Sequence, residues 1–224
     1  MALIRSAATV GGYTMLSRVL GFLRDILIAA ALGAGPVADA FFVAFRIPNM
    51  FRRLVAEGAF SAAFVPMFSR RLEADGQGAA QSFAEAALAV LLSALLVLTL
   101  LAEISMPWLM RVIAPGFLDD PEKFDLAVLF TRITFPYLLF MALVALFGGV
   151  LNALYRFAAA AAAPLLLNLV LIAAVLGFAD AGPTPGHALA WGVARAGAGQ
   201  SIRTARRLCD RFRASSVKSL FRTR

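Results

Sequence analysis

Residues 17–25 read SRVLGFLRD. The surrounding segment is apolar enough for a lipid bilayer, yet Arg18, Arg24 and Asp25 place three charges within about two helical turns. Each charge inside a membrane costs about 2.5–3.5 kcal/mol unless it faces protein or water. At about 100° per residue, Arg18 and Asp25 fall about 20° apart, and so do Ser17 and Arg24, about 100–120° round from Arg18. Thr14 and Gly21 lie between those two rows, and Leu16, Val19, Leu20, Leu23, Ile26 and Leu27 form the other side. The pattern predicts a membrane helix with one polar face and one lipid or packing face.

The rest of the chain fits that setting. Of 224 residues, 61% are hydrophobic and only 15% charged, and the mean hydropathy is +0.82. Soluble domains average about 45–50% apolar and 25% charged, so the composition is that of an integral membrane protein. One cysteine, Cys209, excludes an internal disulfide. One histidine, His187, and no cluster with ligand spacing give no metal site and no cofactor. The sequence holds no Gly-rich phosphate loop, nucleophile elbow or triad pattern, which argues against an enzyme.

A hydrocarbon core about 30 Å thick needs roughly 20 helical residues. That length predicts spans near 7–33, 38–67, 81–112, 125–151 and 164–180, broken by GAGP at 33–36, SRRLEADGQG at 69–78, APGFLDDPEKFD at 114–125 and ADAGPTPG at 179–186. Arg5, the Arg70–Arg71 pair and Arg156 flank the spans on one side, and the acidic loop with Asp119, Asp120, Glu122 and Asp125 lies on the other. The positive-inside rule then predicts a cytoplasmic N-terminus. Arg18 and Arg24 also interrupt the first span in a way that no cleaved signal peptide would.

The second span carries FRIPNMFRRLVAEGAF, in which Arg46, Asn49, Arg52, Arg53 and Glu57 fall on one broad side, with a bend at Pro48. Asp39 projects to that side if the helical phase survives the proline. A short connection makes the first two spans neighbours, so their polar faces can line one cavity. Arginines outnumber carboxylates there, and an arginine fork suits phosphate. Blander readings stand beside this one: Arg53 pairing with Glu57, Arg46 snorkelling to an interface, and Arg18 pairing with Asp25 inside the protein. Arg24 and Arg52 have no carboxylate on their own rows, which favours a functional role for them. Arg132, Asn152 and Asn168 read most simply as interhelical hydrogen-bonding groups.

A sixth span begins at HALAWGV, 187–193, and then fails at Arg195. From there nine basic residues face Asp210 alone, so the +8 net charge belongs to this tail, and residues 1–193 are neutral overall. The pI near 10.9 therefore gives no reason to expect nucleic acid as a partner. The tail, 194–224, is expected to be disordered, with an interfacial amphipathic helix over 201–221 as the sharper option. After five spans from an inside N-terminus it lies outside, the wrong side for so many arginines.

SRVLGFLRD, DAFFVAFRIPNMFRRLVAEGAFSAAFVP, APGF, TRITFPY, GGVLNALYRF and APLLLNLVLI resemble the MurJ/MviN family over residues 1 to about 193. These are lipid II flippases of bacterial peptidoglycan synthesis, within the multidrug/oligosaccharidyl-lipid/polysaccharide exporter superfamily. The resemblance implies an all-α, polytopic inner-membrane bundle, with two lobes around a V-shaped cavity. It implies alternating-access movement of undecaprenyl-linked disaccharide-pentapeptide to the periplasmic leaflet. This chain corresponds to the N-terminal lobe, with about five complete transmembrane helices and an aborted sixth. By resemblance Arg18, Arg24 and Arg52 engage the lipid diphosphate, while Ser17, Asp25, Asp39, Arg53 and Glu57 support the cavity or its gates. The loss of resemblance after Val193 looks like truncation or out-of-frame translation, leaving a chain expected to be inactive without its C-terminal lobe. The other class of function is a non-transporting module that binds polyprenyl diphosphate lipids or pairs with a separately encoded second lobe.

Overall fold

The computed structural model describes residues 2–52, 60–154, 161–179 and 182–222, with side chains over 8–50, 60–154, 161–179 and 182–210. Among these residues the chain is helical and contains no strand. α1 spans Ala2–Leu32 and runs without a proline until Gly33, whose φ of +62° ends it. The Gly33 amide donates to the Ala29 carbonyl at 3.0 Å, an ending that favours glycine because φ is positive. α2 spans Pro36–Arg52 and starts on a proline, which loses nothing where an amide has no helical partner. α3 spans Phe60–Ala74, and the chain reverses at Asp75–Gly76, where Gly76 adopts φ +82°.

α4 spans Gly76–Ile113, 38 residues or about 57 Å of helix. A short turn at Pro115–Phe117 leads to α5, Pro121–Thr134. Asp120 caps α5 by accepting from the Lys123 amide at 3.1 Å, with Pro121 in the first turn. Pro136 separates α5 from α6, Tyr137–Ala153, although together they form one apolar stretch of 33 residues. α7 spans Ala163–Phe178 and α8 spans Pro185–Arg222. α1, α4, α5–α6 and α7 lie on the expected spans; the second expected span, 38–67, is shared by α2 and α3 with 53–59 outside the described residues, and α3 runs on to Ala74 through part of the expected break at 69–78. The chain is an all-α, polytopic membrane bundle.

Among the described residues two helical stretches are long and apolar enough to cross a bilayer on composition alone, Gly76–Ile113 and Pro121–Ala153. They occupy different places. Only 11% of the apolar window in α4 is buried, against 61% for α5–α6, so α6 is central and α4 faces outward. Val90, Leu100, Ile104, Trp108 and Val112 of α4 form an exposed apolar side suited to hydrocarbon. The charges of α1 lower its mean hydropathy, and α2 has 17 described residues and carries charges as well, so neither stands out by length and composition.

α2 packs on α5, α1 on α7, and α8 on both α6 and α7. The larger core gathers Phe41, Phe130, Tyr137, Leu138, Leu171 and Leu189, and a second cluster holds Phe64, Phe68, Ala80, Leu146 and Val150. Thr134 ties α5 to α2 by donating its hydroxyl to the Ala44 carbonyl at 3.0 Å.

α8 departs from the sequence expectation. Neither an aborted sixth span nor a disordered tail over 194–224 is present in the described residues: the helix continues through Val193 to Arg222. Leu189, Val193, Ala196, Gln200, Ser201 and Thr204 form its buried stripe. The reason is small-residue packing rather than apolarity. A Cβ added at Gly197 would sit 2.7 Å from Tyr137 and 3.1 Å from Phe140, and one at Gly192 would lie 3.1 Å from Ala174. Gln200 secures the contact by donating to the Ala163 carbonyl at 2.8 Å.

This crossing also changes where the basic residues emerge. The turns at Gly33–Gly35, Pro115–Phe117 and the start of α8 share one end, where the Cβ position of Gly186 presses on Phe130 and Val37. The α3–α4 turn lies at the opposite end, and Leu208 of α8 packs against the second cluster there. The tail therefore leaves on the same side as Arg70 and Arg71, not on the opposite side as the five-span count implied.

Candidate lipid-phosphate cavity

α1, α2 and the start of α7 border an open cavity of about 660 Å³. Ser17, Arg18, Gly21 and Arg24 line it from α1, Arg46 and Asn49 from α2, and Pro164, Leu167 and Asn168 from α7. The polar face projected from SRVLGFLRD is thus turned toward α2 and α7, while Met15, Val19, Phe22 and Ile26 remain exposed on the other side of α1.

Arg24 is the most constrained of these groups. Its Nη1 donates to Asn168 Oδ1 at 2.7 Å, and its Nε and Nη2 donate to Asp25 Oδ1 at 3.0 and 2.7 Å. Its side chain is 16% exposed against 64% for Asp25, so the carboxylate reaches in from the open side. The guanidinium carbon also stands 5.9 Å from the Phe45 ring centroid. Asn168 is nearly fully buried, and its amide nitrogen donates to the Ser17 carbonyl at 2.9 Å. One amide therefore holds α7 to α1 and fixes the arginine at once. The Cβ position of Gly21 lies 3.5 Å from Asn168 Nδ2, so an alanine there would meet that amide in ordinary van der Waals contact.

Several expected residues fall elsewhere or differ in partner. Arg24 does have a carboxylate, its own neighbour Asp25; adjacent residues do not share a helix face, but a long guanidinium stem bridges the gap. The internal Arg18–Asp25 pair does not form, and Arg18 has no ion-pair or hydrogen-bond partner among the described residues. Arg46 lines the cavity instead of snorkelling away from it. Asp39 lies at the far end of α2, paired with Lys123 of α5 at 2.5 Å, outside the cavity lining. Arg52 is the last residue of α2 and its side chain, like Arg53 and Glu57 altogether, lies outside the described residues. Asn168 acts as the interhelical group its type suggested; its grip on Arg24 was hidden because the partners stand 144 residues apart.

Among the described residues the arrangement presents one held and two unpaired guanidinium groups to a shared space, with Asp25 as the carboxylate beside it. Such a space can receive an anionic headgroup, with Arg24 held ready and Arg18 and Arg46 free to reorient. No group of His, Cys, Asp and Glu suited to a metal ion occurs among the described residues.

Residues 28–209 match the family described as lipid II flippase MurJ, and the match continues along α8 beyond Val193. The probable lipid II flippase MurJ of Rhizobium meliloti (strain 1021) is 52% identical over 203 residues, covering 88% of this chain and 38% of that protein. The lipid II flippase MurJ of Burkholderia cenocepacia is 46% identical over 193 residues, covering 86% of this chain and 37% of that protein. A solved structure described as lipid II flippase MurJ, inward closed conformation, shares the fold with a TM-score of 0.63 at 23% identity, over 87% of this chain and 41% of that one. The chain thus spans less than two-fifths of the length of these curated relatives.

Proposed function

The chain belongs to the lipid II flippase MurJ family, and from that premise we propose that it is the N-terminal, headgroup-binding part of a lipid II flippase. It is a membrane transport protein, not an enzyme. In this reading Arg18, Arg24 and Arg52 engage the diphosphate of the lipid-linked peptidoglycan precursor, with Ser17, Asp25, Arg53 and Glu57 supporting the cavity. Asp39 acts at the end of α2 rather than at the headgroup. The observation that carries the reading is Arg24, fixed between Asn168 and Asp25 on the wall of an intramembrane cavity that Arg18 and Arg46 also line.

A diphosphate buried in this cavity meets fork-shaped donors whose positions are partly set in advance, which lowers the ordering cost of binding. Alternating access needs a second body against which this one moves. The N-terminus lies in the cytoplasm of a bacterial inner membrane, and the C-terminal lobe supplies the opposite cavity wall. Alone, the chain binds but does not transport.

The test joins this chain, in place of the matching N-terminal segment, to the remainder of the Rhizobium meliloti relative and asks for growth after depletion of the host flippase. The chimera is expected to support growth, its Arg24→Ala form to insert in the membrane but fail, and the chain alone to fail. Growth of the Arg24→Ala chimera at the parental rate rejects the diphosphate role.

A further inference from the structure

α8 is longer than one bilayer crossing requires. Its 38 residues make about 57 Å of helix, whereas about 20 residues span a hydrocarbon core. Its buried stripe runs from Leu189 to Thr204, with Leu208 half-buried one turn further on. Charge begins where that packing ends: Arg203, Arg206 and Arg207 are all exposed on the outward side. None of the three has an ion-pair partner among the described residues. The sequence of the helix continues with Arg211, Arg213, Lys218 and Arg222, and Asp210 is the sole acid between Arg203 and Arg224.

Arg70 and Arg71 lie exposed at the same end of the bundle, with Arg71 stacked 4.6 Å over the Phe83 ring. Among the described residues the acids of that end are Glu73, Asp75 and Glu85, exposed on α3, α4 or the turn between them, and Asp210, exposed on α8.

We propose that Arg203, Arg206 and Arg207 form a binding surface for anionic phospholipid headgroups, distinct from the cavity on α1. Three features favour lipid over a soluble polyanion. The arginines stand within one turn of the last buried residues, and Arg203 lies about 27 Å along the helix from Pro185, close to one hydrocarbon thickness. Ile202, 53% exposed, lies beside Arg203 and offers an acyl chain an apolar contact. Their forks match a phosphodiester, and each basic residue near an anionic surface adds about fivefold to association.

Cys209 supplies the probe. It is the sole cysteine of the sequence, it is exposed, and it sits between Arg207 and Asp210. The full chain in neutral detergent, carrying an environment-sensitive fluorophore at Cys209, is titrated with dioctanoyl phosphatidylglycerol, dioctanoyl phosphatidylcholine, inorganic phosphate and a short RNA. Saturable response to phosphatidylglycerol alone is expected, weakened at high salt as screening requires. The triple variant R203Q/R206Q/R207Q should lose about a hundredfold in apparent affinity, and R203K/R206K/R207K should stay within about fivefold of the parent. The proposal is overturned by an equal response to phosphatidylcholine, by tighter response to phosphate or RNA, by salt-independent binding, or by parental affinity in the glutamine variant. If the glutamine variant does not fold, the salt dependence and the lysine variant decide.

Discussion

Replacing Asn168 with alanine removes the amide that joins α1 to α7 and anchors Arg24. Two short contacts disappear, the 2.7 Å bond from Arg24 Nη1 and the 2.9 Å bond to the Ser17 carbonyl, together with a long 3.4 Å contact from the amide nitrogen to Ser17 Oγ. A hydrogen bond to a charged group contributes about 1.5–3 kcal/mol in soluble proteins, but interhelical bonds in membranes average about 0.6 and reach about 1.7. Taking the upper membrane value for the charged bond and the mean for the neutral one gives a loss of about 2 kcal/mol, or roughly thirtyfold in the unfolding equilibrium. Asn168→Asp separates the two parts. It keeps an acceptor for Arg24 but offers nothing to the Ser17 carbonyl, so its contact loss should be the smaller one, about 0.6 kcal/mol. The assay is reversible unfolding of the purified chain in mixed detergent micelles, followed by helical circular dichroism. A loss below about 0.3 kcal/mol for Asn168→Ala would show that the amide does not hold the two helices, and that Arg24 is not positioned from α7.

Other perturbations probe separate joints. Gly197→Ala pushes a methyl into Tyr137 and should cost about 1–3 kcal/mol in the same unfolding assay, because the added Cβ falls 2.7 Å from that ring. Lys123→Ala breaks the pair with the half-exposed Asp39 and the stacking of its ammonium 4.6 Å from the Phe117 centroid. Its cost should stay near 1 kcal/mol and shrink as salt is raised, and a salt-independent loss would contradict the pairing. Asp120→Ala removes the cap of α5 and should cost about 1 kcal/mol, with hydrogen exchange rising first at the Lys123 amide.

How far the sequence could be read depended on the kind of interaction. Local periodicity exposed the polar face of α1, because Ser17 and Arg24 are separated by two turns and no tertiary information is needed to place them together. Turn chemistry likewise marked Gly33, Asp75–Gly76 and Asp120–Pro121. The Arg24–Asp25 pair escaped because helix projection assigns each residue a direction but not the reach of its side chain. α8 was misjudged for a physical reason: hydropathy rewards large apolar residues, whereas this helix packs through Gly192, Ala196 and Gly197 against α6 and α7. Once it crosses the bundle, the charge asymmetry that looked inverted becomes consistent with Arg70 and Arg71. Asn168 could be recognised as an interhelical group from its type, but only the packing of α7 on α1 shows which arginine it holds.

We propose above all that the α1–α2–α7 cavity receives a lipid diphosphate. Binding of undecaprenyl diphosphate to the purified chain, measured by native mass spectrometry beside undecaprenol, tests it most directly. The account predicts saturable binding of the diphosphate, little of the alcohol, and at least a tenfold loss in Arg18→Gln/Arg24→Gln, since each charged hydrogen bond removed costs about 1.5 kcal/mol or more. Equal binding of the alcohol and the diphosphate, or full binding by the double variant, would contradict it.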